Sequence, residues 1–313
     1  MEFRELEAFV AVVRRGNFTR AAEDLSLTQP AVTRQIAALE AELGTRLLER
    51  MGRRVAMTAA GEALHAYALE ILRQADESRR AVGDVARGVA GRLALGASST
   101  AATYLLPQVL RAFTLAHPGV ELSVVTGSSS RIGDQVWNGR IDLGIVMNFQ
   151  ERAGLAAQVV TDYALWLVAA PEHPLARAHA AGAPPVTVAE LAATPLIVMQ
   201  HGATLRDYID RLFEAEDEPL RRLMEMDNVE AIKKMIAAGL GVSVLPGIAV
   251  EAEIASGQLA ALPLAGAAEA RSRIAAVYRE DKYISAAIRA FLEILGREMS
   301  GKGCGESGPE PVY

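Results

Sequence analysis

From residue 6 to residue 43, apolar positions recur at helical spacing. Leu6, Phe9, Val10 and Val13 follow steps of three, one and three, which predicts an amphipathic helix. Gly16 and Asn17 end it, and Phe18 can plug the base of the next element. Residues 19–25 predict a short second helix that opens on the Thr19 hydroxyl and carries Ala21, Ala22 and Leu25 on one face. Residues 26–28 interrupt the pattern. A third helix follows, with Thr28 as N-cap and Pro30 in the first turn, where a missing N–H costs nothing. Its apolar stripe is Val32, Ile36, Leu39 and Leu43.

The polar face of that third helix carries Gln29, Thr33 and Arg34. Gln and Arg can pair with adenine and guanine edges, and Thr can reach a base or a phosphate. Small Ala21 and Ala22 let two helices cross closely, as a helix-turn-helix requires. Residues 19–43 therefore read as a DNA-recognition unit, with an ordinary helical hairpin as the competing reading.

After Gly44, a C-cap glycine, residues 46–57 predict two short strands turning at Gly52. They would form a wing with Arg53 and Arg54 at its tip, reaching phosphates or a minor groove; a solvated basic loop is the alternative. Thr58 then caps a long helix reaching about Val89. Its seam is Leu64, Ala68, Ile71, Ala75, Ser78, Val82, Val85 and Val89, at alternating steps of four and three. That 3.5-residue period is the coiled-coil repeat and predicts dimerisation, unless the seam packs on the same chain. Glu70, Arg73, Glu77, Arg79 and Arg80 are expected on the solvent side.

Residues 88–91 predict a hinge, and beyond it strands and helices alternate, the α/β signature. Strands are expected at 93–97, 120–126, 142–147, 156–160, 165–170, 196–199, 223–226, 242–245 and 273–278. Helices are expected at 103–116, up to 139, and at 205–214, 229–238 and 284–295, with another opening at Pro246-Gly247. Residues 171–185 read as a Pro/Ala-rich connection, and 301–313 as a disordered tail. Two α/β halves after residue 91 are expected, the second inserted into the first.

The net charge is −6, which at first argues against nucleic acid. Residues 1–58, however, hold nine arginines against eight acids, so a locally basic module sits on an acidic body. The only cysteine is Cys304, which excludes an intramolecular disulfide and a cysteine-based metal site. The five histidines lack ligand-like spacing, and no P-loop, GxGxxG, GxSxG, HExxH or CxxC motif is present. Neither catalysis nor a cofactor is predicted. No apolar run approaches a membrane span, and MEFRELEAF carries acids where a signal peptide needs basic residues, so a cytoplasmic location is expected.

The chain resembles a LysR-type transcriptional regulator. The resemblance rests on FTRAAEDLSLTQPAVTRQIAALEAELGTRLLER at 18–50 and MTAAGEAL at 57–64, and more weakly on HPLA at 173–176, AAGLGVSVLP at 237–246 and LLPQVLRAF at 105–113. It implies a winged helix-turn-helix over 1–58, a linker helix over 59–90 and an α/β effector domain over 91–300. That domain would have two Rossmann-like, periplasmic-binding-protein-like lobes: 91–162 with 266–300, and 163–265. Carried over by position, Gln29, Pro30, Thr33, Arg34, Arg53 and Arg54 would face double-stranded promoter DNA. The resemblance further implies a dimer that builds a tetramer, with RNA polymerase as a further partner.

The family's effector cleft is lined by strand ends, which here are 98–100, 126–129 and 147–148, with 199–202 and 227–228 from the second lobe; Ser98, Ser99, Thr100, Thr126, Ser128, Ser129, Met147, Gln200, His201 and Asn228 are the expected contacts. Ligands of open α/β sheets sit beyond the carboxyl ends of strands, beside helix N-termini, and these hydroxyls suit a small anion. Helix capping is the alternative role for them. For His201 it is a surface loop, and for Tyr163, Trp166, Met224, Met226 and Met235 it is packing. A transporter's solute-binding protein would share the two-lobe pattern but leaves residues 1–90 unexplained.

Overall fold

The computed structural model describes residues 1–51, 54–200, 204–265 and 271–300. Arg53, His201 and the tail 301–313 with Cys304 lie outside the described residues. The chain folds as two compact units, the first Met1–Ala86 and the second beginning at Arg87.

The first unit contains α1 (Phe3–Arg15), α2 (Phe18–Asp24), α3 (Gln29–Leu43), the hairpin β1 (Leu48–Met51) and β2 (Arg54–Met57), and α4 (Ala59–Arg87). Leu6, Phe9 and Val12 of α1 meet Ala21 and Ala22 of α2 and Val32, Ile36 and Leu39 of α3 in one core. Val10 and Val13 are half-buried at its margin, and Leu43 is exposed at the end of its helix. The cap of α2 is Asn17 and not Thr19: the Asn17 side chain accepts from the backbone N–H groups of Thr19 and Arg20. Gly16 and Gly44 end α1 and α3 in the left-handed conformation, at φ 61° and 65°. Glu40 ties α3 to the hairpin by accepting from the N–H groups of Leu47 and Leu48.

Asp24 clamps α1 to α2 through Arg15, at 2.6 Å, and Arg14, at 2.8 Å. The Arg15 hydrogen bond, assisted by Arg14, holds its carboxyl at about 2, below the ordinary 3.8. A depressed carboxyl stabilises the fold above its ordinary value and stops doing so as pH falls through the folded value. Circular dichroism melts should therefore show helix stability falling between about pH 4 and pH 2. Asp24→Asn should lose that part of the pH dependence; an unchanged slope would remove the clamp.

The α4 seam divides in two. Ala68 is buried, and Leu64 and Ile71 pack on the first unit's own core, whereas Ser78 is exposed and Val82 is 72% exposed. The amino-terminal half of the seam thus serves the chain's own core. Farther along, Ser78 and Val82 stay open. Arg73 and Glu77, expected in solvent, are instead largely covered and paired at 2.7 Å.

The second unit is built on β3 (Gly91–Ser98), α5 (Ser99–Tyr104), α6 (Leu106–Ala116), β4 (Val120–Gly127), α7 (Ser129–Trp137), β5 (Leu143–Met147) and β6 (Leu155–Ala169). Then come α8 (Pro174–Ala180), α9 (Val188–Ala192), β7 (Leu196–Met199), α10 (Thr204–Ala215), β8 (Arg222–Met226), α11 (Val229–Ala237), β9 (Ser243–Pro246) and α12 (Gly247–Ala255). The chain continues through β10 (Ala260–Leu262), β11 (Arg271–Arg279) and α13 (Ala286–Ser300). Strands β4, β3 and β5 are parallel neighbours, and β11 and β6 extend their sheet antiparallel.

Strand β6 then runs on to pair β9 and β10, while β7 and β8 pair in parallel and bridge to the residue before β9 through Leu196 and Val242. Each half has its own core. One centres on Leu93, Leu95, Phe113, Ile145, Ile274 and Phe291, the other on Leu167, Ile197, Ile209, Phe213, Ile232 and Leu245. The two strands expected at 156–160 and 165–170 are one. The polar break between them is satisfied across the sheet, where Asp162 pairs with Arg271 at 2.7 Å. The single helix expected at 103–116 is two, because Pro107 lacks the N–H that the preceding turn would need. Tyr163 belongs to the first core, and Trp166, Met224, Met226 and Met235 pack against the second.

Candidate functional site

Two groups of residues stand out, one in each unit. On α3, Gln29, Pro30 and Arg34 are exposed and Thr33 is half-buried. The Gln29 amide donates to the Thr33 hydroxyl at 3.2 Å, one helical turn away, so the two present a fixed polar pair. No carboxylate pairs with Arg34 among the described residues, and its guanidinium is available to a base or a phosphate. Burial of Val32, Ile36 and Leu39 on the opposite face fixes which side of the helix is offered. Arg54 opens β2.

In the second unit a cavity of about 500 Å³ forms where strand ends of the two halves converge. Its rim includes Ser98, Ser99 and Thr100 after β3, and Gly127, Ser128 and Ser129 after β4. Ser98 caps α5 by accepting from Ala101 N–H at 3.4 Å, and Ser128 caps α7 by accepting from Arg131 N–H at 3.3 Å. Ser129 donates to the Met147 carbonyl at 2.9 Å, tying α7 to the end of β5. Capping is thus one role of these hydroxyls. A capping oxygen still carries its own proton, which can be offered to a ligand.

Of the expected cleft residues, Ser98, Ser99, Thr100, Ser128, Ser129, Met147 and Gln200 line this cavity. Thr126 does not: side chains alternate along a strand, and here Gly127 faces the cavity. Asn228 also stays out of the lining. It caps α11, accepting from the N–H groups of Glu230 and Ala231, while its neighbours Asp227 and Val229 take the lining positions. Ser130, Arg131, Leu205, Pro246 and Ser272 complete the wall without having been expected. Arg131 was findable, three residues after the capping Ser128. Ser272 and Pro246 arrive on antiparallel strands from distant sequence, a register that local patterns do not reveal. At the cavity edge Asn148 sits at φ 48° and accepts from Arg273 N–H at 2.8 Å, which fixes the turn after β5.

Residues 3–62 match the bacterial regulatory helix-turn-helix model of the lysR family, and residues 86–300 match the LysR substrate binding domain. The chain belongs to the LysR family of transcriptional regulators. Among its relatives, the RuBisCO operon transcriptional regulator of Allochromatium vinosum is 31% identical over 307 residues, 97% of this chain and 98% of the relative. A full-length OxyR variant from Pseudomonas aeruginosa is similar in structure, at 25% identity and a TM-score of 0.72, covering 99% of both chains. Full-length CbnR, solved in complex with its target DNA, is 28% identical with a TM-score of 0.62, covering 95% of this chain and 100% of CbnR. The helix-turn-helix match contains Gln29 and Arg34, and the substrate-binding match contains the cavity. Among the described residues no helix is long and apolar enough to cross a membrane, and no group of His, Cys, Asp or Glu could hold a metal ion.

Proposed function

We propose that this LysR-family regulator reads promoter DNA with the Gln29, Pro30, Thr33 and Arg34 face of α3, and that Arg53 and Arg54 contact the flanking backbone. A division into a winged head over 1–58, a linker over 59–90 and an effector domain over 91–300 fits this reading. The exposed Ser78 and Val82 of the α4 seam support pairing of two chains, which would set two recognition helices on successive major grooves. Pairing of dimers gives a tetramer, and the assembly meets RNA polymerase at the promoter. A small anionic effector occupies the cavity and shifts the regulator between arrangements according to its differential affinity for them. The observation that carries the reading is the exposure of Gln29 and Arg34 on the polar face of α3, opposite the buried Val32, Ile36 and Leu39.

Arg34→Ala should weaken specific binding by about 1–3 kcal/mol and lower the specific-to-non-specific ratio. Gel shifts with specific and scrambled duplexes at matched salt measure both. Uniform weakening on the two duplexes would make Arg34 a phosphate contact instead of a base reader.

A further inference from the structure

Among the described residues lining the cavity, only two are charged: Arg131, in the first turn of α7, and Asp227, at the end of β8. They belong to different halves of the unit. Both are exposed, and neither has an ion pair among the described residues. Gly127 leaves room for the arginine: a Cβ there would stand 3.3 Å from the Arg131 Cδ. The rest of the lining is uncharged and mixes hydroxyls such as Ser99, Ser128 and Ser272 with apolar Met147, Met199 and Leu205.

A cation on one half and a carboxylate on the other, left unpaired in an otherwise uncharged lining, match a ligand that is itself dipolar. We infer that the effector is a small organic anion whose acidic group meets Arg131 and the neighbouring hydroxyls. Its far end carries a hydrogen-bond donor, hydroxyl or ammonium, for Asp227 and Gln200. This rests on the effector reading of the cavity and narrows it. A bare anion satisfies only the first half and is repelled by Asp227; a neutral polyol leaves Arg131 without its strongest partner. Only a compound with both ends engages both halves at once.

Calorimetric titration of the full chain with inorganic phosphate, glycerol and glycerol 3-phosphate tests this. Glycerol 3-phosphate should bind about tenfold or more tighter than phosphate, and glycerol weakest. Asp227→Ala should remove most of that advantage while leaving phosphate binding unchanged or tighter. Arg131→Ala should weaken both phosphates about tenfold. Equal affinity for the two phosphates, absence of binding by either, or variants that keep the wild-type pattern would each overturn the inference. Ser99→Trp, an exposed substitution at the cavity rim, separates it from the reading beneath. If Ser99→Trp blocks binding but the charge variants do not, the cavity reading stands and the dipolar assignment falls. If the probes bind Ser99→Trp unchanged, the cavity reading falls with it.

Discussion

Lys233→Ala should destabilise the second unit by about 3 kcal/mol, the lower end of the cost of breaking a buried ion pair. Lys233 is only 4% exposed. Its ammonium donates to the Ala249 carbonyl at 2.8 Å, pairs with Glu230 and Glu253 at 2.7 Å each, and lies 5.2 Å from the centre of the Tyr104 ring. The Tyr104 phenol donates to Glu230 in turn, so one network joins α5 and α11, each opening on the cavity, with α12. Burial opposes ionisation of Glu230, but the hydrogen bonds from Lys233 and Tyr104 together outweigh it and hold its carboxyl below the usual range. Burial, reinforced by that carboxylate, raises the Tyr104 phenol.

Truncation leaves two carboxylates and a carbonyl without their cation. Both carboxylates keep some contact with water, which is why the lower end applies. Trp137 and Trp166 are the chain's only tryptophans and both lie in this unit, so urea unfolding followed by their fluorescence reports on it selectively. A loss under about 1 kcal/mol would mean that the network contributes no more than a surface pair.

Gly61→Ala should be as damaging to the first unit, at about 3 kcal/mol or more, and DNA binding should fall with it. A Cβ at Gly61 would stand 2.1 Å from the Leu47 carbonyl oxygen and 3.3 Å from the Met57 Cβ. That carbonyl already accepts from Thr58 N–H, and the Thr58 hydroxyl bonds the Arg46 carbonyl while accepting from Gly61 N–H. The backbone therefore cannot yield without releasing the start of α4 from the hairpin. Gly83 lies on the same helix with nothing within 4 Å of its would-be Cβ, so Gly83→Ala should instead stabilise by about 0.5–1 kcal/mol. Hydrogen exchange across α4, with gel shifts on the same samples, measures both. Equal behaviour of the two variants would contradict the close approach at Leu47.

What could be read ahead of the structure was whatever local periodicity controls. Stripes at Leu6–Phe9 and Val32–Ile36–Leu39 and the turn glycines Gly16 and Gly44 follow from near neighbours along the chain, whereas the helices α8, inside the stretch read as a connection, and α9 did not show in the local pattern. The failures came where distant residues decide. The strands expected at 156–160 and 165–170 merge where Asp162, between them, meets Arg271, 109 residues later. Arg73 and Glu77 looked like solvent-facing charges, yet each covers the other. At the cavity, serines after β3 and β4 were legible as strand ends, whereas Ser272 and Pro246 depend on antiparallel register. At the end of β8 Asn228 caps α11 while Asp227 lines the cavity, since cap and ligand contact ask for the same chemistry.

Nuclease footprinting of the wild-type protein on the DNA upstream of its own gene tests the central claim most directly. The account predicts two protected half-sites on one face of the duplex, centred roughly 34 Å or a multiple of it apart. Absence of protection at low salt, or a single unpaired site, would contradict it.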